Sequence, residues 1–336
     1  MRQVISILVS WTLFILMATN CRSAETMTEL KVGIIGLDTS HAIAFTKILN
    51  AANPDPEVAN CRVVAVYPKG SPDIESSVSR VPKYTDEIKT LGVEIVPSID
   101  ELIERVDCVL LETNDGRPHL EQVLPVLKAG KRTFIDKPIA GSLADAVAIF
   151  KASKKYMTPV FSSSSLRFAK TTLAVRGGSI GKVTFCETSS PAHIEKTHPD
   201  LFWYGIHGVE SLFTVMGPGC ESVQRTTDDD KIKVVGKWQG GRTGQFLEGK
   251  SYSGTARGDK GEAAVGNYEG YQPLVVEIVK FFRTGEPPVN EQETLEIYAF
   301  MEAADESKRQ DGKEVALESV LQSAKKHAAK RLKSLD

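Results

Sequence analysis

The fold is decided near the N-terminus, by the stretch Lys31-Val32-Gly33-Ile34-Ile35-Gly36-Leu37-Asp38-Thr39-Ser40-His41. An apolar run of the length of a buried parallel strand ends at its second glycine, and a helical pattern follows directly. A strand, a tight glycine turn and a helix in this order open a dinucleotide-binding domain, whose usual pattern is G-x-G-x-x-G. Gly36 supplies the first glycine, whereas Asp38 replaces the second and His41 the third.

This altered glycine pattern leaves two interpretations of the turn open. In the first, the turn still binds a nucleotide, through Gly36, Leu37, Asp38, Thr39, Ser40 and His41. In the second, Asp38 caps the helix and occupies the amides that a phosphate needs, so that no nucleotide binds. A carboxylate ~5 Å from a phosphate also repels it, by about 3 kcal/mol at an effective dielectric constant of ~20.

The second predicted strand ends without the acidic residue that usually binds the ribose of NAD. Val64–Tyr67 is followed by Pro68-Lys69-Gly70-Ser71. Lys69 and Ser71 are therefore candidates for holding the 2′-phosphate of NADP, or else they form an ordinary turn.

Residues 30–155 alternate short apolar runs with helical patterns, which predicts parallel βαβ units covered on both faces. We therefore expect a Rossmann-type, doubly wound α/β domain over residues 28–157. After residue 157, runs typical of strands are separated by glycine-rich turns and interrupted by a few strong helices. Ser162–Ser165 is the first of these predicted strands, and Leu201–Met216 is the strongest helix. Residues 158–336 are accordingly predicted to form an α+β domain with a mostly antiparallel sheet.

Composition excludes several classes of protein. The 336 residues carry 41 Lys+Arg and 43 Asp+Glu, a formal charge of −2, and 41% of them are hydrophobic. These values are ordinary for a globular protein and exclude a coiled coil or a disordered chain. The lack of a basic excess argues against nucleic acid as a partner.

The N-terminus has the order of segments found in a secretory signal peptide. Arg2 gives a short positive region, Val4–Ala18 is uncharged, and Thr19–Ala24 is polar and small. We expect residues 1–24 to be removed and the protein to be exported to the periplasm or outside the cell, with no membrane contact afterwards. An uncleaved membrane anchor is the alternative, although the apolar run is shorter than the ~20 residues of a spanning helix.

Three further stretches, taken together, resemble the glucose–fructose oxidoreductase/inositol dehydrogenase/MocA (Gfo/Idh/MocA) family. They are Val109–Pro138 with its Asp136-Lys137-Pro138 motif, Tyr204–Glu210 with Gly205-Ile206-His207, and Phe281–Val289. The resemblance implies a Rossmann domain followed by a domain with a large open sheet. It also implies NAD or NADP as cofactor, a carbohydrate-like small molecule as substrate, and a homo-oligomer.

The resemblance also assigns roles to individual residues. Lys137 corresponds to the catalytic lysine of the family's Glu-Lys-Pro motif, and His207 to its catalytic histidine. Trp203 stands where the family has an aspartate and is a candidate for stacking on a sugar ring. Glu210, one helical turn after His207, is a third catalytic candidate.

Two remaining groups of residues complete the candidate site. Asn114 and His119 match a family loop that contacts the cofactor or the substrate, and both are candidates for cofactor binding. His193 and His198 precede His207 and Glu210, but their spacing is irregular for metal ligands, so no metal site is expected.

The sequence thus predicts an oxidoreductase that transfers a hydride between NAD(P) and a sugar, polyol or related small molecule. The alternative is a protein of the same fold that no longer uses the cofactor: a carbohydrate-binding protein, a lyase or a hydrolase.

Overall fold

The computed structural model describes residues 28–335, so the predicted signal peptide lies outside the described residues. Among the helices it describes, none is long and apolar enough to cross a membrane. The four cysteines in this part of the chain, Cys61, Cys108, Cys186 and Cys220, are buried and unpaired.

The first sheet has six parallel strands in the order β3-β2-β1-β4-β5-β6, the order of a Rossmann domain. The strands are β1 (Leu30–Ile35), β2 (Cys61–Tyr67), β3 (Glu94–Ile95), β4 (Cys108–Leu111), β5 (Arg132–Ile135) and β6 (Val160–Phe161). The doubly wound parallel sheet predicted from the apolar runs is therefore confirmed. Because β6 belongs to it, this sheet continues past the predicted boundary at residue 157.

Five helices connect these strands: α1 (Ser40–Leu49), α2 (Glu75–Thr90), α3 (Ile99–Arg105), α4 (His119–Lys128) and α5 (Leu143–Lys155). Serines begin two of them, since Ser98 and Ser142 each accept a hydrogen bond from a backbone amide of the first turn. Sequence patterns did not predict α2, which is mainly polar and contains Pro82.

The second sheet has seven strands in the order β12-β11-β7-β10-β9-β8-β13, and only the β7–β10 pair is parallel. The strands are β7 (Val183–Ser190), β8 (Cys220–Asp228), β9 (Lys231–Trp238), β10 (Arg242–Glu248), β11 (Ser253–Gly258), β12 (Gly261–Ala264) and β13 (Val315–Ala316). The helices of this half are α6 (Lys170–Arg176), α7 (Ile206–Met216), α8 (Gln272–Thr284), α9 (Glu291–Arg309) and α10 (Leu317–Leu335). The predicted mostly antiparallel sheet is confirmed.

The strand predicted at Ser162–Ser165 is wrong. The chain leaves β6 and enters a short 3-10 helix, Ser165–Phe168, whose first turn is capped by the Ser164 hydroxyl. Serine caps helices well because its oxygen accepts from a free backbone amide, which favours a helix start over a strand here.

Helix α8 returns from the second half of the chain to pack on the first sheet. Its Phe281 ring lies edge-on to Phe161, with centroids 4.9 Å apart. The Arg132 guanidinium at the start of β5 donates to the carbonyl of Arg283 at 2.9 Å. These contacts join α8 to the first sheet.

Candidate functional site

A cavity of about 560 Å³ lies where the loops after the parallel strands meet α7 and the loops near it. Ligands of doubly wound domains bind at this end of the strands. The cavity brings together seven of the predicted site residues: Thr39, Ser40, His41, Asn114, Lys137, Trp203 and His207.

Lys137 enters the cavity from the loop directly after β5. This loop is fixed from the opposite domain, because the Tyr298 hydroxyl of α9 accepts from the Ile139 amide at 2.6 Å. The Lys137 side chain is only 6% exposed, and among the described residues its ammonium has no hydrogen-bond acceptor. A desolvated ammonium without an acceptor is suited to bind an oxygen of a ligand.

His207 enters the cavity from the first turn of α7. The next residue, Gly208, lies so close to β10 that a Cβ atom would stand 2.6 Å from the Phe246 ring, so only glycine allows this approach. His207 Nδ1 lies 2.7 Å from the Ser164 hydroxyl, which leaves Nε2 for the cavity. Burial, followed by the charges of Lys137 and His41, holds the pKa of His207 well below its usual value. The imidazole is therefore neutral near pH 7, with one ring nitrogen that carries no proton.

Glu210 does not reach the cavity, so its predicted role in direct catalysis is wrong. One carboxylate oxygen accepts from the Ser164 amide at 2.7 Å and the other from Arg167 Nε at 2.8 Å. Although Glu210 lies one helical turn after His207, it faces the 3-10 helix, where Arg167 also pairs with Glu293. Glu210 thus positions Ser164, which in turn orients the His207 ring.

Asp38 is not the cap of α1, in contrast to one of the two interpretations of the turn. Thr39 is the cap, and its hydroxyl accepts from the His41 amide. The Asp38 carboxylate is fully buried and accepts from the Asn114 amide at 2.8 Å and from the Ser77 hydroxyl at 2.7 Å. The carboxylate therefore lies beneath the cavity and accepts from none of the first amides of α1.

The cavity wall offers what the central part of a dinucleotide needs. Thr39 and Ser40 line it at the positive end of α1, where phosphates bind well. Arg80 of α2 lines the same region and adds a guanidinium, while Glu75 adds a carboxylate able to accept from ribose hydroxyls. Sequence analysis missed both residues, since α2 carries no motif. The residues present therefore fit a pyrophosphate and its adjoining ribose.

Gly36 and Leu37 shape the turn without lining the cavity, which corrects their predicted contact with the nucleotide. Gly36 has a φ of +98°, and a Cβ atom there would lie 2.4 Å from the Thr113 amide nitrogen. Leu37 is buried and donates its amide to the carbonyl of Lys69 at 3.1 Å. Their role is to bring the ends of three strands together.

Lys69 and Ser71 belong to a separate cavity of about 340 Å³ and not to the main one. The Ser71 hydroxyl is buried and donates to Asp115 at 2.6 Å. The Asp115 carboxylate is itself paired with Arg117 at 2.7 Å. Lys69 and Ser71 are therefore separate from the main cavity, and their contacts with a 2′-phosphate stay a prediction.

His119 is also buried away from the cavity, against its predicted contact with a cofactor. Its ring nitrogens lie 2.7 Å from the Thr113 carbonyl and 3.2 Å from the Ile139 carbonyl. The ring therefore ties the loop after β4 to the loop that carries Lys137.

Four tyrosines that the sequence analysis did not single out form one wall of the cavity: Tyr204, Tyr252, Tyr268 and Tyr271. The Tyr204 ring lies edge-on to His207 with centroids 5.3 Å apart, and the Tyr271 ring lies 4.8 Å from His41. Together with Trp203, this wall gives faces and hydroxyls of the kind that bind sugars and polyols.

The loop before α7 keeps its histidines apart. His193 lines the cavity, whereas His198 is buried 3.2 Å from the Asp115 carboxylate. Within residues 28–335, neither of these histidines gathers with His207 and Glu210 into a set of metal ligands.

Comparison with known proteins agrees with this architecture. A sequence family described as "Oxidoreductase family, NAD-binding Rossmann fold" (GFO_IDH_MocA) matches residues 30–163. A curated "Uncharacterized oxidoreductase" of Streptococcus pneumoniae serotype 4 is 28% identical over 156 residues. That match spans 40% of this chain and only 41% of the length of the relative.

Solved structures share the fold over most of the chain. A "probable dehydrogenase" from Thermotoga maritima has a TM-score of 0.69 at 21% identity, covering 87% of this chain and 100% of that one. A myo-inositol dehydrogenase from Lactobacillus casei, in complex with NAD(H) and myo-inositol, has a TM-score of 0.66 at 19% identity, covering 85% and 96%. At these identities the likeness establishes the fold.

Proposed function

We propose that the chain is an NAD(P)-dependent oxidoreductase acting on a sugar, polyol or related small molecule, because residues 30–163 match the NAD-binding oxidoreductase family GFO_IDH_MocA. The observation that carries this proposal is the convergence of Lys137 and His207 on one cavity with the positive end of α1. Hydride transfer from a hydroxyl-bearing carbon to NAD(P) requires groups that bind the hydroxyl and take its proton, together with a binding site for the pyrophosphate. The ammonium of Lys137, the neutral imidazole of His207 and the first turn of α1 meet these requirements.

The two catalytic side chains divide the work on the substrate hydroxyl. The Lys137 ammonium donates a hydrogen bond to the oxygen and stabilises the negative charge that develops on it. His207 Nε2 takes the hydroxyl proton as the C–H bond breaks, and the bound nicotinamide supplies the acceptor of the hydride. This requires the Ser164 hydroxyl to accept from His207 Nδ1, so that Nε2 carries no proton.

Five residues hold the nucleotide in this proposal. The first turn of α1, with Thr39, Ser40 and His41, faces the pyrophosphate together with Arg80, and Glu75 accepts from a ribose hydroxyl. The tyrosine wall and Trp203 stack on the substrate and exclude water from the reacting carbon.

We further propose that the mature protein is exported after removal of residues 1–24 and that it assembles as a homo-oligomer. The uncharged N-terminal run supports the first proposal, and the family resemblance supports the second. Mass spectrometry of the protein from its native host tests the first proposal, and an intact Met1 would contradict it. Light scattering of the purified protein tests the second, and a monomer would contradict it.

The first experiment is to titrate the purified protein with NAD and NADP and to identify any nucleotide released on denaturation. We expect one nucleotide to bind, and Arg80→Ala to weaken it by roughly tenfold or more, the value of one charge-assisted hydrogen bond. Lys83→Ala is the matched control, because it removes an exposed charge from the same helix outside the cavity. Absence of binding at millimolar concentration would overturn the redox proposal and favour the alternative without a cofactor.

Screening of sugars and polyols follows with the nucleotide that binds. Lys137→Ala is expected to lower kcat by roughly 100-fold or more while nucleotide affinity is kept, since its ammonium acts mainly on the transition state. Glu210→Gln is expected to lower kcat less, because it acts through Ser164. Near-normal turnover of Lys137→Ala would contradict the assignment.

A further inference from the structure

Beneath the cavity, at the carboxyl ends of β4 and β5, lies a buried cluster of three side chains, two of which, both carboxylates, the proposed function does not use. It consists of Glu112, Asp136 and His41, and one ligand atom from each lies within 4.8 Å of the others. Glu112 and Asp136 are fully buried, whereas His41 also lines the cavity. The cluster is therefore reachable from the substrate side through His41.

Glu112 is the unusual member of this cluster. Among residues 28–335, neither of its carboxylate oxygens has a hydrogen-bond partner, and Asp136 Oδ1 also lacks one. Buried polar atoms are almost always paired, and an unpaired carboxylate in the interior is costly. Three unpaired carboxylate oxygens on two residues of so compact a cluster indicate that a group able to bind them belongs there.

The protein's own groups satisfy these oxygens only in part. His41 Nδ1 lies 2.8 Å from Asp136 Oδ2, which accounts for one oxygen of the four. Burial, followed by the charge of Asp136, holds the pKa of Glu112 well above its usual value, and the positive charge of Lys137 opposes this shift. Among the described residues the Lys137 ammonium hydrogen-bonds neither carboxylate. A bound cation would supply the positive charge that the ionised carboxylates lack here.

We propose that His41, Glu112 and Asp136 bind one divalent metal ion of the kind that takes mixed nitrogen and oxygen ligands, such as Zn²⁺ or Mn²⁺. One imidazole and two carboxylates are common ligands of such ions, and their charge balances that of the ion. Ligand atoms about 2.1 Å from an ion lie no more than about 4.2 Å apart, so the side chains close by several tenths of an ångström on binding.

An ion at this place adds a second positive centre to the floor of the cavity. Together with Lys137 it binds neighbouring oxygens of one ligand, which favours substrates with vicinal hydroxyl groups. The preference for vicinal hydroxyl groups rests on the proposed function. The metal site itself does not depend on it.

The test is metal binding by the full chain without nucleotide or substrate. Protein free of any affinity tag is stripped with a chelator, titrated with Mn²⁺ under electron paramagnetic resonance, and equilibrated with Zn²⁺ for elemental analysis. We expect one ion per chain. Glu112→Gln and Asp136→Asn should each weaken binding by more than the roughly tenfold loss typical of outer partners of metal ligands.

Glu187→Gln is the matched control, since it removes a half-buried carboxylate from β7 in the other sheet. It should bind the ion like the unchanged protein. Thermal unfolding gives a second readout: the ion should raise the Tm of the unchanged protein and of Glu187→Gln, but not of Glu112→Gln. Binding of much less than one ion per chain, or equal affinity in Glu112→Gln, would overturn the proposal and leave a proton with ordered water as the occupant.

Discussion

The Asp38 carboxylate accepts hydrogen bonds from other groups inside the protein. Its two oxygens receive the Asn114 amide and the Ser77 hydroxyl, and so join the loops after β1 and β4 to helix α2. Burial raises the pKa of this carboxyl group above its usual value, and the two hydrogen bonds oppose the shift. The aspartate that breaks the glycine pattern thus supports the floor of the site.

Asp38→Ala should lower the free energy of unfolding by about 1–3 kcal/mol, because a buried amide and a buried hydroxyl lose their acceptor. Asp38→Asn, which keeps one acceptor oxygen, should lose less. Urea unfolding measures both, with the exposed Glu104→Ala as a control expected to stay within about 0.5 kcal/mol. If Asp38→Ala were as stable as the unchanged protein, the supporting role would be wrong.

Among the elements, α7 and the 3-10 helix show how a catalytic histidine is held. Arg167 lies between Glu210 and Glu293 and is only 3% exposed. This buried set of ion pairs fixes the Ser164 amide, and the Ser164 hydroxyl contacts His207. The orientation of His207 therefore depends on charges from three different elements.

Arg167→Met should be strongly destabilising, by roughly 3–5 kcal/mol, because Glu210 is left as a buried charge without its cation. Glu293 keeps a partner in Arg176. The matched control is Arg257→Met, which breaks an exposed pair with Glu262 and should cost less than about 1 kcal/mol. Equal losses in the two variants, measured by urea unfolding, would show that the buried set contributes nothing special.

Sequence patterns predict those parts of this molecule that depend on neighbouring residues. The apolar runs predict the strands of the first sheet. Lys137 and His207, which two short motifs single out, lie in one cavity. Contacts between residues that are far apart in the sequence could not be predicted from such patterns. His41 and Asp136 are 95 positions apart, and Arg80 reaches the site from a polar helix without a motif.

The same limit explains why several predicted site residues, among them Lys69, His119 and Glu210, lie outside the main cavity. Lys69, His119 and Glu210 have suitable chemistry and positions near strand or helix ends. Their side chains are nevertheless directed away from the main cavity, because the direction is set by which neighbouring element packs on them. A sequence pattern predicts where a residue lies along a helix or strand, but not which other element packs against its side chain.

At the scale of the whole molecule, the first domain is completed by a helix from the second half of the chain. One hydrophobic core of the molecule combines residues of β1, β2 and α1 with seven residues of α8. These seven are Leu274, Val275, Val276, Ile278, Val279, Phe281 and Phe282. Without α8, this apolar face of the first sheet would be exposed to water. The Rossmann domain and the C-terminal part therefore fold as one interdependent unit.

Residues 28–163 alone are thus expected to lack cooperative unfolding, although they contain all six strands of the first sheet. The exposed face should bind a hydrophobic dye and give weak near-ultraviolet dichroism, as in partly folded states. Adding residues 268–290 through a flexible linker should restore a cooperative transition, whereas the same segment carrying Val279→Asp and Phe281→Asp, two of its buried residues, should not. A fragment of residues 28–163 that unfolds cooperatively near the Tm of the full chain would show that the first domain is stable without α8.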